Sequence, residues 1–319
     1  IVPFLELFLK PSEVNMDKVQ EQVVKKDKLY DFMVWLTVPI HYGFLFYVLW
    51  NLHTVEWTTL ETIGLVTMAG LSCGVIGINV AHELGHRRTK HERIMAKLLL
   101  LTSQYMHFYI EHNKGHHRNV STQEDPASAR YGEWLYAFWF RSMIMGYVSA
   151  WKIELKRLRK KNLPVWSPVH NEMLRFQIFQ IAFAVGIGLL FSWQIMGLYL
   201  AMALMGILLL ETVNYIEHYG LQRKKVGENR YERTLPIHSW NSNHPLGRLL
   251  LFELSRHSDH HYMPGRKYQI LRHHDNAPQM PTGYPGMMLL ATIPPLWFMV
   301  MHRKINQLRE NNADGLALA

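Results

Sequence analysis

Residues 60–86 read LETIGLVTMAGLSCGVIGINVAHELGH. Up to Val80 this stretch carries a single charge, Glu61, and His82 and His86 follow at a spacing of four. A helix rises about 1.5 Å per residue and the hydrocarbon core of a bilayer is about 30 Å thick, so 60–80 is long enough for one membrane crossing. The two histidines at its end project from one helix face, one turn apart, so both can reach a single metal ion. The rest of the chain repeats this arrangement of an apolar run followed by histidines.

Outward from this stretch, residues 32–80 contain no Lys or Arg and only Glu56 and Glu61 as acids; residues 176–216 contain only Glu211. Each is long enough for two crossings joined by a tight turn, at 51–59 (NLHTVEWTT) and 192–197 (SWQIMG), both with Trp where an interfacial aromatic belt falls. The expected spans are 32–51, 60–80, 176–192 and 196–216. They define an all-α integral membrane protein of two transmembrane helical hairpins, 32–80 and 176–216, with a cytoplasmic helical His-rich domain. Residues 1–31 hold 5 Lys+Arg, 81–175 hold 16 and 217–319 hold 13, while both turns hold none. The positive-inside rule therefore puts all three polar segments in the cytoplasm, with 81–175 and 217–319 as the catalytic ones. Residues 1–9 (IVPFLELFL) read as the stub of an earlier crossing, followed by a linker to residue 31. The run 287–301 is short and holds Pro294 and Pro295, so it is expected in the interface or packed on the domain. The basic stretch 151–161 (WKIELKRLRKK) belongs at the headgroups, and the tail from Asn311 is expected to fray.

Composition narrows the chemistry. The chain has 319 residues, a net charge of +9, 19 His and one Cys. A single Cys excludes a disulfide framework, a four-cysteine zinc site and an iron–sulfur cluster held by this chain's own thiolates. No G-x-G-x-x-G or P-loop pattern occurs, so the chain brings no nucleotide site of its own. The mean hydropathy of −0.08 resembles a soluble protein only because the apolar residues are concentrated in a few segments. Anionic headgroups or an acidic protein partner account for the basic excess without nucleic acid.

The histidines fall into three clusters and a single residue. His82 and His86 form the first; His112, His116 and His117 (EHNKGHH) the second; His257, His260 and His261 (HSDHH) the third; His218 stands alone in NYIEHYG at the end of the last span. Nine imidazoles are too many for one ion with room for substrate but suit two ions taking four or five each. Imidazole suits Zn, Cu, Fe and Ni, and zinc needs only four ligands, so an imidazole-rich, thiolate-free pair favours redox chemistry and iron over copper. Glu111, Glu217 and Asp259 are expected to hydrogen-bond ring N–H groups from behind the ligands, with His238, His244 and Asn214 in the same supporting role. Three bland readings stand beside this. HELGH alone matches a zinc-protease motif with Glu83 as general base, but that leaves two clusters unexplained. A proton path or helix-end caps would account for one cluster and not three. The remaining histidines (His41, His53, His91, His107, His170, His273, His274, His302) are read as packing or surface residues, and Cys73 as a small packing residue.

The stretches NVAHELGH, IEHNKGHHRNVSTQEDPASAR, NYIEHYGL, HSWNSNH, RHSDHH and PTGYPGM, covering 79–287, resemble the integral-membrane desaturase/hydroxylase superfamily and, more closely, the bacterial membrane-bound alkane 1-monooxygenases. The resemblance implies a six-helix architecture of which an N-terminal hairpin is absent from this sequence. It implies a non-haem di-iron centre held by His82, His86, His112, His116, His117, His218, His257, His260 and His261, in a bacterial inner membrane with the site on the cytoplasmic side. The implied reaction inserts one oxygen atom from O2 into the terminal C–H bond of a medium-chain alkane, with electrons from rubredoxin and, upstream, its flavoprotein reductase. Related hydroxylation of xylene methyl groups, epoxidation and acyl desaturation are the neighbouring alternatives. A membrane metalloprotease and a metal store or sensor are the alternatives from other classes.

Overall fold

The protein is described by a computed structural model covering residues 1–228, 230–311 and 317–318. Residues 312–316 and 319 of the tail expected to fray lie outside the described residues. Four helices are long and apolar enough to cross a membrane: Lys28–Thr54, Thr59–Gly85, Glu172–Leu190 and Trp193–His218. Each contains most of one expected span and runs past it. The first turn contracts because Thr58 caps the second helix reciprocally with Glu61, leaving only 55–58 outside a helix. The second turn is shorter still, because Ser192 Oγ accepts from the Ile195 amide and starts the fourth helix early. At the other end the second helix continues to Gly85, so His82 lies inside it rather than beyond it. The remainder is mostly helical, with two small two-stranded antiparallel pairings, Leu221–Gln222 with Ala317–Leu318 and Lys225–Gly227 with Arg230–Tyr231.

The chain divides into two compact units. One comprises residues 28–115 and 146–210. Its apolar core gathers Leu45, Val48 and Leu49 from the first span, Ala69 from the second, Ile187 from the third, and Ile195, Tyr199 and Met202 from the fourth. The second and fourth spans approach closely at small residues. A Cβ on Gly74 would stand 2.5 Å from Leu209 Cδ2, and one on Gly206 would stand 2.8 Å from Cys73 Cβ. Cys73 is thus a packing residue. It also opens a π-helical turn, Cys73–Ile78, held by side chains from neighbouring helices. His41 bridges Ser72 Oγ (3.1 Å) and Thr102 Oγ1 (2.9 Å), and Ser103 Oγ donates to the Cys73 carbonyl at 3.3 Å. On the outer faces of the spans Ile40, Leu60, Ile63, Ile181, Leu189 and Leu190 are exposed, as side chains meant for lipid are.

The other unit comprises residues 1–27, 116–145 and 211–319, with polar ties prominent in it. Glu6 is buried between Gly247, whose amide donates to it at 2.6 Å, and Gly283. Arg256 donates to the Ser12 and Val14 carbonyls (3.2 and 3.0 Å), and Asn15 pairs with the His273 backbone. The run 287–301 forms parts of two helices, Tyr284–Ala291 and Pro294–Asn311, interrupted ahead of its proline pair, with Met287, Trp297 and Met301 buried. Trp297 packs on the rings of Tyr215 and Tyr219, and the fourth span ends where Gly220 turns to φ +69° just after His218.

Candidate metal centre

Four imidazoles of the second of these units converge. His116 lies at the end of a π-turn, His112–His116; His218 closes the fourth span; His257 and His261 sit one turn apart on the short helix His257–Tyr262. All four are buried, and their ligand nitrogens lie within 4.8 Å of one another. His116 Nε2 is 3.2 Å from His261 Nε2, and His257 Nε2 is 3.2 Å from His218 Nε2. Nitrogens bound to one ion at about 2.1 Å stand about 3.0–3.4 Å apart, so the spacing fits a shared metal. Burial, followed by the neighbouring rings, holds the His261 pKa well below its ordinary value. That keeps the ring neutral, the form that ligates metal. In the same unit His117 Nε2 meets His260 Nε2 at 3.1 Å.

The unit made of 28–115 and 146–210 gathers three more. His82 and His86 come from the end of the second span, and His112 from the helical run that starts at Phe108. His86 Nε2 and His112 Nε2 are 3.1 Å apart, the ring of His82 is 4.4 Å from that of His112 between centroids, and Phe108 stacks on His112 at 4.7 Å. The donor set, again imidazole alone, fits a late first-row metal. Glu83 is held at 2.6 Å by Arg87, which also binds Asp31 at 3.0 Å, so the HELGH carboxylate is spent on a buried ion-pair chain rather than poised as a base.

All nine histidines singled out in the sequence therefore sit in such groupings, sorted otherwise than by spacing. His112 and His116, an i,i+4 pair, fall in different groups, and the turn between them is π-helical. His260 separates from His257 and His261.

The supporting residues divide too. Asp259 accepts from His274 Nε2 (2.7 Å), the Arg272 amide (3.0 Å) and Arg266 Nε (3.3 Å), tying the following loop to the His257–Tyr262 helix. His238 stands 3.2 Å from Glu232, with burial pushing its pKa down to about 4. His244 Nδ1 meets Ser242 Oγ at 3.1 Å, and Asn214 donates to Glu211 at 3.3 Å. Glu111 is buried, with Gly115 leaving it room: a Cβ there would stand 2.5 Å from its Oε1. Glu217 Oε2 is 3.1 Å from His257 Nε2. One carboxylate escaped the sequence reading. Asp125 Oδ2 is 2.9 Å from His116 Nδ1 and also accepts from Ser128 Oγ at 2.5 Å. Burial raises its pKa, but the His116 ring and the Ser128 hydroxyl outweigh this and hold it below the usual range. The only local signal was an Asp-Pro turn nine residues after His116, inside STQEDPASAR.

These clusters can be set beside known proteins. The profile of the fatty acid desaturase family matches residues 56–291. The chain is 40% identical over 309 residues to alkane 1-monooxygenase 2 of Pseudomonas aeruginosa, covering 96% of this chain and 81% of that protein. It is 42% identical over 303 residues to alkane 1-monooxygenase of Ectopseudomonas oleovorans, covering 95% and 74%. It is also 30% identical over 243 residues to XylM, the hydroxylase component of the xylene/toluene monooxygenase of Pseudomonas putida, covering 76% and 64%. Four membrane-length helices, clustered buried imidazoles and these likenesses agree: the chain belongs to the fatty acid desaturase family and, within it, to the alkane 1-monooxygenases.

Proposed function

We propose that this protein inserts one atom of O2 into the terminal C–H bond of a medium-chain n-alkane, the other atom leaving as water with two electrons and two protons. The observation that carries the reading is the convergence of four buried imidazoles, with a carboxylate behind one of them, on one point. One ion is assigned to His116, His218, His257 and His261. The second is assigned to the cluster of His82, His86 and His112, and the family likeness implies His117 and His260 among its ligands. Bound as iron, the pair would supply oxygen activation, chemistry no side chain of this protein supplies alone. The protein's residues supply the rest. Asp125 keeps the proton on His116 Nδ1 and leaves Nε2 free for the metal. The buried walls exclude water. Apolar spans admit a substrate that has no polar handle and is oriented by shape alone.

With one Cys and no nucleotide fingerprint the chain needs an external electron donor, its basic polar face favours an acidic carrier, and the likeness to alkane 1-monooxygenases implies that this carrier is a rubredoxin. The charge tally favours the cytoplasmic side for the polar segments and the site, and the likeness to bacterial relatives implies a bacterial inner membrane. Likeness to XylM supports a second reading, oxidation of aromatic methyl groups. Iron analysis with Mössbauer spectroscopy, followed by turnover of octane and of p-xylene with reduced rubredoxin, tests both. Two irons per chain and 1-octanol are expected. A benzylic alcohol as exclusive product overturns the substrate, and a lone zinc overturns the whole reading.

A further inference from the structure

Two carboxylates approach the four-histidine cluster, and they do so from opposite sides of their rings. Asp125 meets His116 at Nδ1, the nitrogen facing away from the other three rings. Glu217 meets His257 at Nε2, the same nitrogen that faces His218 Nε2 at 3.2 Å. A carboxylate that only orients an imidazole sits behind it, as Asp125 does. Glu217 sits in front, where the ion would be. Its side chain is buried, with the Tyr284 side chain as its other polar neighbour. Charge gives the same answer. Four imidazole ligands around a divalent cation leave two positive charges in a buried site, and a buried charge is tolerated only when paired. Asp125 is separated from the ion by a whole ring, whereas Glu217 needs no intervening group.

We infer that Glu217 is itself a metal ligand, the anionic oxygen donor of the His116/His218/His257/His261 site. This rests on the proposed function insofar as an ion binds there. The donor set becomes four nitrogens and one carboxylate oxygen, which suits iron better than an all-imidazole set and hinders selection of softer metals. Glu217 leads directly into His218, so the last turn of the fourth span delivers two donors of different type to one ion.

The full-length protein in detergent or nanodiscs, loaded with ferrous iron, provides the test. In the wild type, the loaded-minus-apo infrared difference spectrum should show a carboxylate stretch displaced by metal, and Mössbauer spectra should show two doublets. Glu217→Gln, nearly isosteric, should lose that infrared band and displace one doublet while leaving the other. It should also weaken iron binding at one of the two sites by about tenfold or more. Millimolar formate added to Glu217→Ala should restore the displaced doublet, which a purely structural role would not allow. A Glu217→Gln spectrum identical to wild type in both methods, with two irons still bound, overturns the assignment. Wild-type protein that binds no iron overturns the proposed function itself, and with it this inference.

Discussion

Two histidine clusters, one in each compact unit, solve the same problem differently. His116, His218, His257 and His261 come from three separated stretches, are all buried, and have Asp125 and Glu217 against their rings. His82, His86 and His112 come from two stretches, leave His86 partly exposed, and are backed by the face of Phe108. Glu83, the acid between the first two, is taken up by Arg87. A sealed cluster has no solvent to spread the charge of an ion and must bring its own anions; a partly open one can rely on water. The contrast teaches that ligand identity alone does not define a site. What stands behind and beside the rings would set how tightly an ion bound there is held.

The largest effect that can break this contrast is His218→Ala. It takes one of four donors from the sealed cluster, and octane hydroxylation should fall by at least about 100-fold, with one Mössbauer doublet lost. Wild-type turnover would remove His218 from the ligand set. Next comes Asp125→Asn, which keeps shape but no longer fixes the His116 tautomer. Iron affinity at that site should drop about 10- to 100-fold, read by competition with a chelator. An unchanged affinity would show that burial alone orients the ring.

Smaller effects sharpen the other side. Gly74→Leu forces a side chain against Leu209 and should lower thermal stability in detergent by about 1–3 kcal/mol, leaving the iron doublet assigned to the sealed cluster as it is. Broadening of that doublet would mean that spans and sealed cluster are strained together. The smallest effect concerns His107, whose pKa burial pushes down to about 3. The unfolded chain binds this proton more readily, near pH 6.5, so its stability contribution is complete above that value and is lost as pH falls towards 3. Between pH 6.5 and 5.5 the loss is about 1 kcal/mol, and His107→Phe should flatten that part of the stability–pH curve. An unaltered slope would place the acid sensitivity elsewhere.

The legible parts of the molecule are those with a local cause. Two runs without Lys or Arg, each long enough for two crossings, are visible because a crossing needs a fixed length of apolar chain, and the histidines are visible as clusters because helix spacing sets who can share an ion. Helix limits shifted where a single capping side chain decided them, as at Thr58 and Ser192. Asp125 stayed hidden because no helix periodicity ties it to His116; a turn folds it back. Glu217 was visible as an acid beside His218 but not as one that faces the nitrogen its neighbours also face.

Hydrophobic run length and i,i+4 spacing are properties of a few consecutive residues, so membrane spans and the inventory of nine imidazoles follow from the order of amino acids before any folding. Which imidazole joins which group does not. His260 meets His117 across 143 positions, and His261 meets His116 across 145. Those assignments depend on distant segments being packed at fixed angles, and only the folded chain supplies the angles.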